Sequence, residues 1–240
     1  MVYHYCRCCE EKFNGISNVV DHVVDCSSRV SSGDEDILTI LIKDNRSKAV
    51  KQSKYFLVVE MDSKSDLKPL DSFIRNVWME CCYHTSEFVF EKDSESRVSY
   101  YSHADQMQDH HWQPFSSIKI GDKLTKADDR FIYSYDRQPV FGVLLKISKG
   151  SMNGKPVRLL ARNEPIQFKC VECKKIAGFI DPESHNFYCD NCREENENTI
   201  EFDEMSNSPR VGICGYIGDN KPYVRKADRV NKRKSDQLDE

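Results

Sequence analysis

Two quartets of zinc-type ligands, one near each end of the chain, constrain its fold more than any other feature of the sequence. The first is Cys6-x2-Cys9-x12-His22-x3-Cys26 and the second is Cys170-x2-Cys173-x15-Cys189-x2-Cys192. Zinc takes four nitrogen or sulfur donors at about 2.0–2.3 Å in a tetrahedron, and a CxxC turn aims two thiolates at one point. The sequence therefore predicts two structural Zn2+ ions, each with a full protein ligand set. A full set leaves no open position at which water or substrate would be activated, so the quartets predict a scaffold and name no reaction.

The first quartet carries the wider pattern of a ββα zinc finger. Phe13 lies four residues after Cys9 and Val19 three before His22, the two apolar positions that form a small core above the metal. His22 and Cys26, four apart on a helix, project from one face, and Asn14–Gly15 supplies the turn before it. So short a segment cannot bury enough apolar surface to offset its chain entropy, and zinc is expected to contribute about 10–16 kcal/mol apparent. Removing zinc is expected to unfold residues 1–28 locally. Fingers that read DNA use helix positions −1, 3 and 6, which here are Gly15, Asn18 and Asp21. Glycine has nothing to read with, and Asp21, Glu10, Glu11 and Asp25 repel phosphates against only Arg7 and Lys12. The module reads as structural or protein-contacting.

The second quartet reads as a zinc ribbon, two CxxC knuckles at the tips of short hairpins. Lys169, Lys174 and Lys175 surround the first knuckle, whereas Asp190, Glu194, Glu195 and Glu197 follow the second. The polarity either holds the knuckles in register or offers the basic one to a phosphate backbone or an acidic protein surface.

Eleven cysteines, mostly in CxxC pairs, and no signal-peptide pattern at the start predict a reducing, cytoplasmic setting and metal binding rather than disulfides. The net charge of −4 does not suggest a nucleic-acid coat. No apolar run approaches the roughly 20 residues that span a bilayer, so a soluble chain without membrane contact is expected.

Between the quartets the pattern is that of an α+β domain. Ser27–Asp36 is small, polar and charged. Ile37–Lys43, Tyr55–Asp62, Phe88–Phe90, Phe131–Tyr135, Val140–Ile147 and Val157–Leu160 read as strands. After Asp66 as a helix-capping residue, Leu70, Phe73, Ile74, Val77, Trp78 and Cys81 recur at helical spacing and predict one amphipathic helix packed on a mixed sheet. The expected organisation is a finger at 1–28, a linker at 29–36, an α+β core at 37–165 and a ribbon at 166–200. A Gly/Pro-rich segment at 201–219 returns to the core, and a disordered, basic tail occupies 220–240.

The helix and the blocks after it resemble a known family. Asp66–Leu67, Leu70–Phe88 with its Trp78–Met79–Glu80–Cys81–Cys82–Tyr83–His84 run, Phe131–Asp136, Leu159–Asn163, the ribbon cysteines and Asn207–Tyr216 occur in the order found in the Ri-plasmid open-reading-frame-three-like family. That family is also labelled insertion-sequence passenger proteins of TnpR type. The resemblance covers most of residues 36–219 and implies a mixed α/β fold and a bacterial, archaeal or phage origin, without an assigned activity. Where the family tends to show a Phe-Gly-Ser-Thr-Thr-like turn, this chain has Arg137–Gln138–Pro139–Val140. The label implies no recombinase chemistry, since no serine nucleophile stands in its usual setting.

Other constellations admit sharper readings. His103, Asp105, Asp109, His110 and His111 crowd one polar stretch, which reads as a solvated loop or, if they converge, an open metal site. Cys81, Cys82 and His84 could form an activated thiolate, although Cys81 continues the apolar helix face and reads as a small core residue. Cys8 lies between two ligands, and Cys214 reads as a core residue. The turn after Pro209, with Arg210 and Gly212, Gly215 and Gly218, could hold an anion, or is a tight turn beside an edge strand. Lys119–Lys175 has 13 Lys/Arg against 6 Asp/Glu, and Phe131, Tyr133 and Tyr135 could form a stacking face for nucleic acid or simply alternate across a half-buried strand.

The sequence thus predicts a zinc-binding, non-enzymatic interaction protein with a protein or nucleic-acid partner. The competing expectation is a metal-dependent enzyme acting on nucleotide or nucleic acid through the His103–His111 loop or the Arg210 turn.

Overall fold

A computed structural model describes residues 3–29, 32–44, 55–93, 99–102, 112–216 and 218. The His103–His111 loop and the 220–240 tail lie outside the described residues. The fold is α+β, built on an eight-stranded mixed sheet with few helices. Strands β1 (Tyr3–Tyr5) and β2 (Lys12–Asn14) form a hairpin with helix α1 (Ile16–Asp25). The large sheet uses β3 (Glu35–Asp44), β4 (Phe56–Asp62), β5 (Ser86–Phe90), β6 (Ser99–Tyr101), β7 (Trp112–Pro114), β8 (Arg130–Tyr135), β9 (Gln138–Gly150) and β10 (Arg158–Arg162). Their spatial order is β10-β4-β3-β9-β8-β5-β6-β7. Every pairing is antiparallel except β6 with β7.

Both faces of the sheet are covered around β3 and β4, which is why these strands read as unbroken apolar runs rather than alternating ones. Leu38, Ile40, Ile42, Leu57, Val59 and Met61 point to one face and share a core with Phe131, Tyr133 and Tyr135 of β8. Leu41, Phe56 and Val58 point to the other. Tyr135 and Gln138 close the β8–β9 hairpin, and the two residues between them, Asp136 and Arg137, have φ of 50° and 60°. That two-residue left-handed turn matches the twist of the strands.

The predicted helix exists in two parts. Helix α2 (Lys68–Ile74) begins where Asp66 Oδ1 accepts the Lys68 N–H at 2.9 Å, with Pro69 in its first turn. It continues as a π-turn over Arg75–Met79, marked by the Glu80 N–H bonding the Arg75 carbonyl at 2.8 Å. The wider turn keeps Leu70, Ile74 and Trp78 on the core face and ends the helix before Cys81. A short helix, α3 (Ile120–Lys123), places Ile120 in the same core.

The polar stretch after the finger does not run free along its whole length. Ser27–Arg29 forms a tight helical turn with Arg29 buried, and Glu35 and Asp36 already pair with β9. The C-terminal module has β11 (Phe179–Ile180), β12 (Phe187–Tyr188) and β13 (Asp203–Glu204) in the order β12-β11-β13, plus helix α4 (Asp190–Asn196). Past β13 the chain enters the core: Ser206, Asn207, Ser208 and Arg210 are buried. The Asn207 side chain accepts from the Asn163 side-chain amide and donates to the Asn163 backbone carbonyl, and the Ser208 hydroxyl donates to the Trp78 carbonyl. No helix among the described residues is long and apolar enough to cross a membrane.

Candidate metal centres

In the first quartet the four donor atoms of Cys6, Cys9, His22 and Cys26 lie within 4.8 Å of one another. Cys6 Sγ and Cys26 Sγ are 3.7 Å apart and Cys9 Sγ is 3.2 Å from His22 Nε2. Sulfurs bonded at 2.3 Å to one tetrahedral centre stand about 3.8 Å apart, so the spacing fits a single zinc. The local chain explains the convergence. The Cys6 carbonyl accepts the Glu10 N–H, the Cys6 N–H donates to Glu11, and the Cys8 N–H donates to Cys6 Sγ. Gly15, at φ 90°, turns the chain into α1, and the Phe13 ring packs 4.4 Å from that of His22. Burial pushes the Cys26 thiol up to about 11, a preference that a bound cation reverses.

The finger is docked, not suspended. Val19, Val20 and Val23 of α1 pack with Leu41, Phe56, Val58, Leu160 and Ala161. The Arg7 N–H donates to the Leu160 carbonyl of the edge strand β10 at 2.8 Å. Arg29 and Arg158 hold the two carboxylate oxygens of buried Glu60, and Arg29 also donates to the Val24 carbonyl and to Ser148 Oγ. Of the positions that would read DNA, Asn18 bonds the Asn14 carbonyl and Asp21 accepts the Ser17 hydroxyl. Cys8 is half-buried against the finger core.

The donors of Cys170, Cys173, Cys189 and Cys192 also lie within 4.8 Å of one another, with Cys173 Sγ and Cys189 Sγ 3.5 Å apart. The first knuckle sits on a hairpin, where the Cys170 N–H donates to Lys175 and the Lys174 N–H to Cys170. The second departs from the expected hairpin tip and opens helix α4, its Cys189 carbonyl accepting the Arg193 N–H. Burial pushes the Cys170 thiol up, but the backbone N–H groups of Cys173, Cys189 and Glu172 outweigh it and bring it down to about 6. That is the electrostatics of a thiolate nest. Tyr188, Ile200 and Phe202 pack around this quartet. Lys169, Lys174 and Lys175 are exposed on the first knuckle, with Val171 38% and Ile176 55% exposed among them.

Several sequence readings are corrected. Phe131, Tyr133 and Tyr135 are core residues at most 1% exposed, so they offer no stacking face. Arg210 turns inward: its side chain is fully buried and donates to Asp136 Oδ2 at 2.8 Å, which leaves no exposed guanidinium for an outside anion. Cys214 is exposed, not in the core. Its sulfur instead lies 3.5 Å from Cys82 Sγ and 3.6 Å from His84 Nε2, so Cys81, Cys82, His84 and Cys214 form a third quartet. The Cys81–Cys82–x–His84 spacing was legible, but its fourth member lies 130 residues beyond His84 and only the fold brings it back.

No family model matches the sequence, and no curated protein matches it. Among solved structures the chain is similar to a protein of unknown function from Methanosarcina mazei Go1, at 14% identity over 53% of this chain and 68% of that one, with a TM-score of 0.40.

Proposed function

We propose that the chain is a cytoplasmic zinc-binding interaction protein. Two structural Zn2+ ions, one in the finger and one in the ribbon, replace hydrophobic mass, and the ribbon's first knuckle contacts an acidic protein partner. The observation that carries this reading is the surface of that knuckle: Lys169, Lys174 and Lys175 flank the exposed Val171 and Ile176 along the chain, with Glu172 the one acidic side chain between them. A phosphate backbone would engage the lysines and leave the apolar pair wet, whereas a protein surface buries both kinds of side chain. The finger supports the same division of labour, since its apolar helix face is spent on the chain's own sheet. The burial of Arg210 argues against the enzyme reading that used it as an anion receptor.

The test is a photo-crosslinking side chain placed at Val171 in the full-length protein, compared with one at Glu194 on the acidic side. A protein adduct specific to position 171, lost in the Lys174→Glu/Lys175→Glu variant and at high salt, is the expected result. Adducts to nucleic acid, or equal labelling from both positions, contradict the reading.

A further inference from the structure

We propose that Cys81, Cys82, His84 and Cys214 form a third zinc site, which staples the segment after the ribbon to the end of the core helix. This goes beyond the two-ion reading above and does not depend on it.

The donor geometry is that of one tetrahedral centre. Cys82 Sγ is 3.5 Å from both Cys81 Sγ and Cys214 Sγ and 2.9 Å from His84 Nε2, and all four donors fall within 4.8 Å of one another. These spacings match those of the other two quartets, and three thiolates with one imidazole is a donor set that favours zinc.

The surroundings hold the ligands in place and are charged to suit them. The Tyr135 hydroxyl accepts the His84 N–H at 3.0 Å and donates to Glu80 Oε1, which also accepts the Tyr83 N–H. The turn that presents Cys82 and His84 is thereby fixed, with Tyr83 at φ 62°. On the other strand of chain, the Ser208 hydroxyl is tied to Trp78 and accepts the Arg210 N–H, and Cys214 follows at φ 54°. Arg210 Nη2 lies 3.3 Å from Cys81 Sγ, while Nε and Nη1, both buried, have no hydrogen-bond partner. A buried cation with one carboxylate partner is costly. Three thiolates on one Zn2+ carry a net charge of −1, which would sit against this guanidinium. Binding would release the three thiol protons to solvent and involves no electron transfer. Asp136 Oδ2 is 3.5 Å from His84 Nε2, but its charge is already paired with Arg210 Nη2 at 2.8 Å.

This quartet has two exposed cysteines, Cys82 and Cys214, and no buried one, whereas the other two quartets have one exposed cysteine each, Cys9 and Cys173, and bury the rest. The third ion should therefore be the first to leave.

The experiment is zinc stoichiometry of the full chain by native mass spectrometry under reducing conditions, with differential alkylation of the cysteines. Three ions are expected, falling to two in Cys82→Ser and in Cys214→Ser while the finger and ribbon cysteines stay protected. If a variant fails to fold, the wild-type chain decides alone. Protection of Cys81, Cys82 and Cys214 that is lost at lower chelator concentration than protection of the finger and ribbon supports the site. Two ions with these three cysteines freely alkylated, or a Cys82–Cys214 disulfide in their place, overturns it. Failure of the two-ion reading is distinguishable, because it shows as alkylation of Cys6 or Cys170 in the metal-loaded protein.

Discussion

The backbone N–H of Arg7, between Cys6 and Cys9, donates to the carbonyl of Leu160 at 2.8 Å. The knuckle thereby caps the exposed edge of β10, the first strand of the eight-stranded sheet, and an edge so covered is not free to pair with another chain. A metal held by Cys6, Cys9, His22 and Cys26 would consequently act on the sheet as well as on its own module.

Loss of a metal bound there should therefore spread. Cys26→Ser removes a donor from the proposed zinc site, of a kind that supplies on the order of 10 kcal/mol in zinc-finger peptides, and the undocked helix would uncover Phe56, Val58 and Leu160. The variant should bind one zinc fewer and show several-fold higher binding of a hydrophobic dye. Unchanged dye binding would mean that the finger unfolds without affecting the sheet.

Glu60 is 1% exposed and accepts from both Arg29 and Arg158. Glu60→Gln keeps the shape but leaves two guanidinium groups without their counter-charge. Breaking a buried pair of this kind costs about 3–5 kcal/mol, to be read as a lower urea midpoint at unchanged slope.

Acid stability has an identified contributor in Asp129. Burial pushes its carboxyl up, but Lys92 Nζ at 2.6 Å and the backbone N–H groups of Thr125 and Lys126 outweigh it and hold it at about 2. The folded value lies below the ordinary one near 4, so the unfolded chain binds more protons in that window. The contribution is complete above about pH 4 and is lost as the pH falls toward 2. Asp129→Asn should flatten the stability profile there and cost about 1.5–3 kcal/mol at pH 7. A profile that keeps its slope would assign the acid response elsewhere.

Gly142 of β9 lies opposite Phe131 of β8, whose ring crosses the space a side chain would need. A Cβ on Gly142 would stand 2.0 Å from Phe131 Cζ. Gly142→Ala should lower stability by about 1–3 kcal/mol through displacement of that ring, measured by denaturant titration, and Gly142→Ala with Phe131→Leu should recover part of the loss.

The elements most legible in the sequence were those whose constraint is local. The ligand spacings, the Phe13/Val19 pair and the strands over Ile37–Lys43 and Tyr55–Asp62 depend on near neighbours, and the fold brings the donors of each quartet together. Long-range placement was not legible. Nothing near Cys214 in the sequence marks its approach to Cys82, because that contact depends on Ser208 meeting Trp78 and Arg210 meeting Asp136. The Arg210 turn misled for the same reason, since glycines and an arginine look alike whether the guanidinium faces water or the core. Phe131, Tyr133 and Tyr135 alternate as a stacking face would, and which side of the sheet they occupy was settled by the helix packed over them.

If metal coordination is part of the fold's core at both ends, hydrogen–deuterium exchange of the full chain with and without a strong chelator will report it. Metal removal should abolish protection in residues 3–26 and 170–192 and also weaken it in β10, at Arg158–Arg162. Protection that persists in both quartets after the metal has gone would contradict it.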